Sequence, residues 1–329
     1  MTFHTSGISQ NNFLVTGGAG FIGSHIAEYL LKNGAAKVRV LDNMVNGFNS
    51  NLSILQLFPA FEFLEGDIRN VDTCQLACKD IHYVSHQAAL GSVPRSIEEP
   101  VNFNEVNVTG FINILKASID NHIRQFVYAS SSSVYGDEPT LPKIENKVGN
   151  CLSPYAATKK TNELYAQVFA EVYGIKTVGF RYFNIFGPRQ NPDGDYAAVI
   201  PLFVKSIIQR TPVFINGDGE QTRDFTFVDN AVQINIKGML TENEAAINKV
   251  YNVAIGENFS INYLYQACKE YLGSDFEATY RKPRSGDIRN SLADISLAKD
   301  LLGYEPGKRF EEGLQETIEY FKKQFSKDR

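Results

Sequence analysis

The sequence predicts an α/β fold, in which a Rossmann-type, doubly wound parallel sheet is joined to a smaller, interleaved α/β substrate domain. Three observations predict it. Short β-rich segments alternate with amphipathic segments through the first half of the chain. A glycine-rich turn follows the first β-rich segment, and Gly, Pro and Asp become frequent after Asn184. The 329 residues are enough for one large domain and a smaller companion.

The first half is predicted as repeated strand–helix–strand units. Such units build a parallel sheet with helices on both faces, and ligands bind beyond the carboxyl ends of its strands. A polar loop is expected between the second and third strands. The predicted strands are 13–17, 37–43, 61–67, 81–88, 125–131 and 176–184, and the predicted helices between them are 21–32, 71–79, 101–121 and 155–173.

The second half predicts that the two domains are interleaved. A turn at 216–219 separates predicted helices at 199–210 and 229–240, and a buried strand is expected at 249–254. This strand would return the chain to the first sheet. The predicted cofactor domain therefore comprises residues 1–183 and about 228–257, and the substrate domain comprises about 184–227 and 258–329.

Composition excludes several classes of protein. Apolar residues make up 43% and charged residues 21%, which is typical of a globular chain rather than a disordered or fibrous one. The net charge of -5 predicts neither nucleic acid nor membrane as a partner. The uncharged stretch 1–27 is polar and lacks a basic start, so no signal peptide is predicted. Four scattered cysteines predict a cytoplasmic protein without disulfides, and no metal site is predicted.

The glycine-rich turn predicts a dinucleotide site. Gly17, Gly20 and Gly23 stand between the first strand and the first helix, where glycines permit a tight turn and close approach to a pyrophosphate. Asp42 follows 19 residues after Gly23, at the end of the second strand, where an acidic side chain reads the adenosine ribose. A carboxylate there favours NAD over NADP, because it would repel a 2'-phosphate.

Two further strand ends extend this site. Asp67 and Ile68 follow the third strand, where the adenine edge is expected. Gln87, Ala88 and Ala89 follow the fourth strand, and the small alanine side chains would let a cofactor pass over the strand tips.

A serine, a tyrosine and a lysine predict the catalytic site. Ser131 lies at the end of the fifth strand, 24 residues before Tyr155. Tyr155 and Lys159 are four residues apart, behind an N-cap serine and a first-turn proline, so both side chains share one helix face. The ammonium is expected to lower the pKa of the phenol, which makes the phenol a useful base near neutral pH.

These motifs resemble the extended short-chain dehydrogenase/reductase family, also described as NAD-dependent epimerases and dehydratases. The resemblance runs almost from end to end. Within the family, the chain is most similar to nucleotide-sugar 4-epimerases that prefer N-acetylated UDP-hexosamines. The segments that carry the resemblance are TGGAGFIG, HQAALGSVPRSIEEP, YASSSSVYGDEPTLPK, SPYAATK, RYFNIFGPRQNPDGDYAAVIP, INGDGEQTRDF and RSGDIRNSLAD.

The resemblance implies roles for individual residues. Ser131 matches the catalytic serine, Tyr155 the acid/base, and Lys159 the partner of the tyrosine. It extends the cofactor site to Phe21, Ile22, Asn43, Asn46, Gly47, Asn107 and Tyr182, with Tyr155 and Lys159 also touching NAD. It places the UDP-sugar on Ser92, Ser131, Ser132, Ser133, Tyr155, Asn184, Val199, Asn216, Arg223, Arg284, Ser285 and Asp287. The resemblance also implies that the protein is a homodimer and that it acts in polysaccharide biosynthesis.

The implied reaction is inversion at C4 of UDP-N-acetylglucosamine to UDP-N-acetylgalactosamine through a transient 4-keto sugar, with tightly bound NAD. The same site would accept UDP-glucose and UDP-galactose in addition. Ser285 stands where glucose-restricted relatives carry a tyrosine, so the small side chain would leave room for an N-acetyl group.

Three alternatives remain open at this stage. One is a UDP-uronate 4-epimerase, acting on UDP-glucuronate or UDP-N-acetylglucosaminuronate, because Arg95 or Arg189 could meet a carboxylate. Another is a 4,6-dehydratase, which needs an acid and a base beside the catalytic hydroxyl, where this chain has Ser132 and Ser133. The third is an NAD-binding protein that has lost its activity.

Overall fold

A seven-stranded parallel sheet forms the centre of the protein. The computed structural model describes residues 2–4, 7–193, 197–283 and 289–325. The spatial order of the strands is β3-β2-β1-β4-β5-β6-β11, which confirms the predicted Rossmann-type fold class. The strands are β1 (Asn12–Thr16), β2 (Lys37–Asp42), β3 (Phe61–Glu65), β4 (Tyr83–His86), β5 (Gln125–Ser131), β6 (Thr177–Tyr182) and β11 (Lys249–Val253).

Helices cover both faces of this sheet. On one face, Ile26 and Leu30 join Ile234 in a buried cluster, and on the other Cys74 packs with Ile114. The helices that flank the sheet are α1 (Phe21–Lys32), α2 (Asn49–Leu55), α3 (Val71–Cys78), α4 (Val93–Glu98), α5 (Pro100–Asn104), α6 (Gly110–Asp120), α7 (Pro154–Tyr173), α9 (Val228–Leu240) and α11 (Ser296–Leu302). Within the described ranges, no helix is both long and apolar enough to cross a bilayer.

A second core lies beyond the carboxyl ends of the sheet strands. Phe203, Leu264 and Leu314 pack there from three helices. Three small two-stranded sheets complete this unit, pairing β7 with β10, β9 with β12 and β8 with β13. Its helices are α8 (Val199–Gln209), α10 (Ile261–Leu272) and α12 (Phe310–Phe325), and its strands are β7 (Ile185–Phe186), β8 (Phe214–Asn216), β9 (Thr222–Arg223), β10 (Thr226–Phe227), β12 (Phe259–Ser260) and β13 (Thr279–Arg281).

Two segments differ from the sequence prediction. The predicted polar loop between β2 and β3 contains the short helix α2, because Leu52 and Leu55 find buried positions against the core. The predicted single helix 101–121 is interrupted by a π-helical turn at Glu105–Thr109. Within this turn Asn107 bonds both backbone groups of Leu90, at 2.8 Å and 3.0 Å, so a tertiary contact holds the wider turn in place.

Candidate active site

The glycine turn closes the amino end of α1 against the strand tips. Gly17 has a φ of +67°, and a Cβ added to it would lie 2.7 Å from the backbone nitrogen of Ala88. A Cβ on Gly23 would lie 2.2 Å from the carbonyl oxygen of Gly17. Both positions therefore require glycine. The first turn of α1 is left open toward a cleft of about 730 Å³ that runs along the carboxyl ends of the central strands.

Asp42 lies at the end of β2 and borders the same cleft. Its carboxylate accepts hydrogen bonds from the backbone N–H of Ala19 and of Met44, both at 2.9 Å. Burial raises the pKa of the carboxyl above its ordinary value, against the lowering effect of these two bonds. The carboxylate is thus held in a defined direction beside the glycine turn.

Most of the predicted cofactor residues line this cleft. Asp67 and Gly47 lie just behind the cleft wall. Asp67 accepts from Asn43 at 2.9 Å and pairs with Arg69, which lowers its pKa to about 2. Asn107 is buried and holds Leu90 and Thr158, so it supports the wall rather than facing the cleft. The predicted residues that line it are Gly17, Gly20, Phe21, Ile22, Gly23, Asp42, Asn43, Asn46, Ile68, Gln87, Ala88, Ala89, Tyr155, Lys159 and Tyr182.

The predicted catalytic residues meet at the other end of the cleft. Ser131 is the last residue of β5, and its hydroxyl lies beside the phenol of Tyr155 on α7, whose pKa it lowers. Ser133 donates to the Ser131 hydroxyl at 3.0 Å, from the 3-10 turn that follows β5. Lys159 donates to the carbonyl of Ala129 at 2.9 Å. The side chains of Ser131, Tyr155 and Lys159 all border the same cleft as the glycine turn.

Local sequence places the tyrosine and the lysine. Ser153 caps α7 by accepting from the N–H of Ala156 at 3.1 Å, and Pro154 occupies the first helical position. Tyr155 and Lys159 are then one turn apart on the face that packs against β5. The Tyr155 ring meets Phe103 edge-on, with 6.4 Å between ring centroids, which limits its rotation.

The titration of this pair differs from the prediction. Burial raises the pKa of Tyr155, and its hydrogen bond to Ser131 offsets only part of that effect. Burial also lowers the pKa of Lys159 to about 8, since the ammonium is almost fully enclosed. The expected lowering of the phenol pKa by the lysine is therefore not the net result. Removal of water from both groups outweighs their mutual influence.

A second cavity of about 280 Å³ opens beside the first. Asn184 borders both, and its backbone has a positive φ of 27°. Aromatic side chains, including Phe203 and Phe225, form much of the wall. The predicted substrate residues that border this cavity are Asn184, Val199, Asn216 and Arg223.

Three other predicted substrate residues, Ser92, Ser132 and Ser133, border neither cavity. Ser92 caps α4, accepting from the N–H of Arg95 at 3.2 Å, and has a φ of 112°. Ser132 and Ser133 form the turn behind Ser131 and do not line either cavity. The predictions for Arg284, Ser285 and Asp287 fall outside the described residues.

Gln190, which the sequence analysis did not place in the site, borders both cavities. Arg189 and Arg95, considered there only for a uronate carboxylate, border the larger cleft. Arg189 pairs with Glu28 on α1 and donates to the hydroxyl of Ser24 at 3.3 Å. The run of Gly, Pro and polar residues that follows β7 was the available signal, but it does not reveal which side chains turn inward.

Comparison with known proteins places this site in a family. The family model described as the NAD dependent epimerase/dehydratase family matches residues 13–254, which include the glycine turn, Ser131, Tyr155 and Lys159. The chain belongs to this family. The match confirms the predicted family, the NAD dependence and the predicted enzyme class of isomerase.

Similar proteins act on several UDP-sugars. A UDP-N-acetylglucosamine 4-epimerase from Methanobrevibacter ruminantium M1, solved with UDP-N-acetylmuramic acid, is 40% identical and has a TM-score of 0.91 over 96% of this chain and 99% of that one. A UDP-glucose 4-epimerase from Thermotoga maritima, solved with UDP-glucose, is 37% identical, with a TM-score of 0.89 over 95% and 99%. A UDP-glucuronate 4-epimerase from Thermodesulfobacterium geofontis is 34% identical over 94% of this chain and 96% of its own length.

Proposed function

We propose that the protein is an NAD-dependent 4-epimerase that interconverts UDP-N-acetylglucosamine and UDP-N-acetylgalactosamine. The observation that carries this proposal is the geometry at one end of the cleft, where Ser131, Tyr155 and Lys159 converge opposite the glycine turn and Asp42. The similarity to the M. ruminantium epimerase, together with the small residue Ser285, supports the N-acetylated substrate.

The cleft fits NAD. Gly17 and Gly23 leave no room for a side chain where a pyrophosphate approaches the amino end of α1. Asp42 lies beside them, where its carboxylate can accept from ribose hydroxyls. NAD held by these residues would supply a reversible hydride acceptor for C4 of the sugar.

The chain's own residues handle the proton. Tyr155 takes the proton of the 4-hydroxyl group and later gives it back to the carbonyl oxygen of the 4-keto sugar. The Ser131 hydroxyl lies beside the phenol, so it is placed to orient the 4-hydroxyl group of the sugar and to stabilise the charge that develops on its oxygen. Lys159 holds a positive charge near the phenol and is itself fixed by Ala129.

The UDP moiety stays anchored while the sugar turns. The second cavity offers aromatic walls for a base and the guanidinium of Arg223 for a diphosphate. Because these contacts are separate from the sugar, the 4-keto intermediate can rotate about its phosphate linkage and present its other face. Presenting the other face of the keto group to the same site accounts for inversion at C4.

Two observations favour this reaction over the alternatives. Arg95 pairs with Glu99 at 3.1 Å and Arg189 pairs with Glu28, so both arginines considered for a uronate carboxylate already have carboxylate partners. Ser132 and Ser133, beside the catalytic hydroxyl, supply neither the acid nor the base that a 4,6-dehydratase requires.

An NMR assay tests the proposal. Purified protein is incubated with UDP-N-acetylglucosamine without added NAD, and the anomeric proton signals are followed. We expect UDP-N-acetylgalactosamine to appear and the Tyr155→Phe variant to lose at least about 100-fold in rate while still retaining NAD. Conversion of UDP-glucuronate but not of the hexosamine would instead establish the uronate activity, and no conversion of any UDP-sugar would overturn the proposal.

A further inference from the structure

A closed ring of hydrogen bonds lies under the catalytic end of the cleft. Tyr182 donates its phenolic proton to Gln87 at 3.0 Å, and Gln87 donates to Asn235 at 3.0 Å. Asn235 completes the ring by donating to the Tyr182 oxygen at 2.7 Å. Ser85 is bound inside it, accepting from Gln87 at 3.0 Å and donating to Asn235 at 3.1 Å.

Asn235 has a partner for every polar group of its side chain. Its oxygen accepts from Ser85 and Gln87, and its nitrogen donates to Tyr182 and, at 2.7 Å, to the carbonyl of Ala231. The side chain is completely buried, as is that of Ser85. Fully satisfied polar networks of this kind hold each member in one orientation, because any rotation leaves a buried group without a partner.

The ring connects the cofactor cleft to a helix that does not border it. Gln87 and Tyr182 line the cleft, at the carboxyl ends of β4 and β6, and the sheet order places them on either side of the strand that carries Ser131. Asn235 lies on α9, which packs across β4, β5 and β6 and does not contribute to the cleft lining.

The ring also separates the roles of the two tyrosines. The phenolic proton of Tyr182 is committed to Gln87, and burial raises its pKa far above the ordinary value. Tyr155, in contrast, lines the cleft with the Ser131 hydroxyl beside its phenol. The ring therefore leaves Tyr155 as the phenol at this end of the cleft that can exchange a proton with substrate.

We propose that Asn235 is a positioning residue for the cofactor, which fixes the Gln87 carboxamide and the Tyr182 ring in the orientation that receives the nicotinamide half of NAD. The inference rests on the proposed placement of NAD in this cleft. Asn235 itself would not touch the cofactor. Its loss would free both cleft side chains to rotate and would leave buried polar groups unpaired.

The experiment compares two asparagines of the same helix. Asn230 is also buried on α9, but it holds Gly307 at 2.9 Å and the carbonyl of Lys308 at 2.9 Å, away from the cleft. Asn235→Leu and Asn230→Leu therefore remove the same group from similar burial. The readouts are the NAD content of the purified protein, the rate of NAD loss on dialysis, and kcat and KM for the UDP-sugar.

We expect Asn235→Leu to lose NAD at least about tenfold faster than wild type and to lower kcat with KM changed less than about threefold. Asn230→Leu should lower thermal stability yet retain NAD within about twofold of wild type. If Asn235→Leu does not fold, Tyr182→Phe removes a different member of the hydrogen-bond ring, the hydroxyl that joins Gln87 to Asn235, and should speed NAD loss about fivefold. The inference would be overturned if Asn235→Leu retained NAD as well as Asn230→Leu does. If Tyr182→Phe has to replace Asn235→Leu, the same comparison applies to it.

The outcome is distinguishable from failure of the proposed function. If wild-type protein carries no NAD and epimerises no UDP-sugar, the proposed function fails. If wild type carries NAD and epimerises, but the Asn235 effect matches that of Asn230→Leu, only the positioning role fails.

Discussion

At the scale of single residues, Lys159 shows a conflict between chemistry and stability. Its side chain is 3% exposed, and burial lowers its pKa to about 8, from about 10.5 in an unfolded chain. Because the folded protein disfavours the charged form, burying the ammonium costs stability below about pH 8. That cost is relieved between about pH 8 and 10.5, where the unfolded chain binds the proton more strongly.

Replacing this lysine should therefore stabilise the protein and inactivate it. We expect Lys159→Met to raise the free energy of unfolding at pH 7 by on the order of 2 kcal/mol, and to lower turnover by at least about 100-fold. Urea unfolding of protein stripped of NAD measures the first effect, since cofactor binding would otherwise contribute. The stability gain should shrink as the pH is raised from 8 to 10.

Lys176→Met serves as the control, because Lys176 forms an exposed pair with Glu244. Its effect on unfolding should stay within about 0.5 kcal/mol at either pH. A Lys159→Met protein that is less stable than wild type at pH 7 would contradict the assignment of a buried, costly ammonium.

At the scale of secondary structure, α7 is delimited by local signals at both ends. Ser153 caps its first turn, and Gly174 ends it with a left-handed φ of 72°. The first turn carries Tyr155, so the geometry of the cap and that of the catalytic phenol are linked. The same face of α7 packs on β5 through Lys159 and Glu163.

Removal of the cap should affect both stability and activity. We expect Ser153→Ala to lower the free energy of unfolding by about 1 kcal/mol and to reduce kcat several-fold, because Tyr155 lies in the turn that the cap holds. Ser260 caps α10 in the same way, accepting from Tyr263 at 3.1 Å. Ser260→Ala should cost similar stability while kcat stays within about twofold. Equal kcat values for both variants would show that the cap does not position the phenol.

At the scale of the whole molecule, a buried ion pair connects helix α7 to the strands β5 and β6. Glu163 on α7 bonds Arg181 on β6 through two contacts of 2.9 Å and accepts from Ser130 on β5 at 2.7 Å. The side chains of Glu163 and Arg181 are 5% and 4% exposed. Arg181 also stacks on Tyr135, with 4.8 Å from its guanidinium carbon to the ring centroid.

Removing one partner of this ion pair should lower the free energy of unfolding far more than replacing both partners by apolar residues. We expect Glu163→Gln to lower the free energy of unfolding by about 3 to 5 kcal/mol, because it leaves the Arg181 charge buried without a counter-ion. The double variant Glu163→Leu/Arg181→Met should lose less than the single one. Chemical denaturation of the three proteins measures both effects, and a double variant less stable than Glu163→Gln would show that the pair itself is strongly stabilising.

Local patterns were sufficient to predict the fold class, most strands and helices, and most of the residues that the structure brings to the cleft. Glycine spacing, the Asp42 strand end and the Tyr155–Lys159 interval depend on short stretches of chain whose geometry is set by the backbone itself. The same is true of the α7 cap. The helix at 49–55 was not predicted, because its turns form through burial of leucines against a distant part of the chain.

Only the tertiary structure decided which side chains meet and how they are charged. The pairing of Arg189 with Glu28 joins residues 161 positions apart, and the ring at Asn235 joins three separate segments, so no local pattern reveals either. The direction of the Tyr155 pKa shift likewise depends on how much water the folded chain excludes, which neighbouring residues in the sequence do not determine. The candidate acid/base and cofactor residues could be predicted from the sequence, because their residue types and spacing indicate the chemistry. The pKa shifts and the long-range hydrogen bonds could not, because they arise from contacts that exist only after folding.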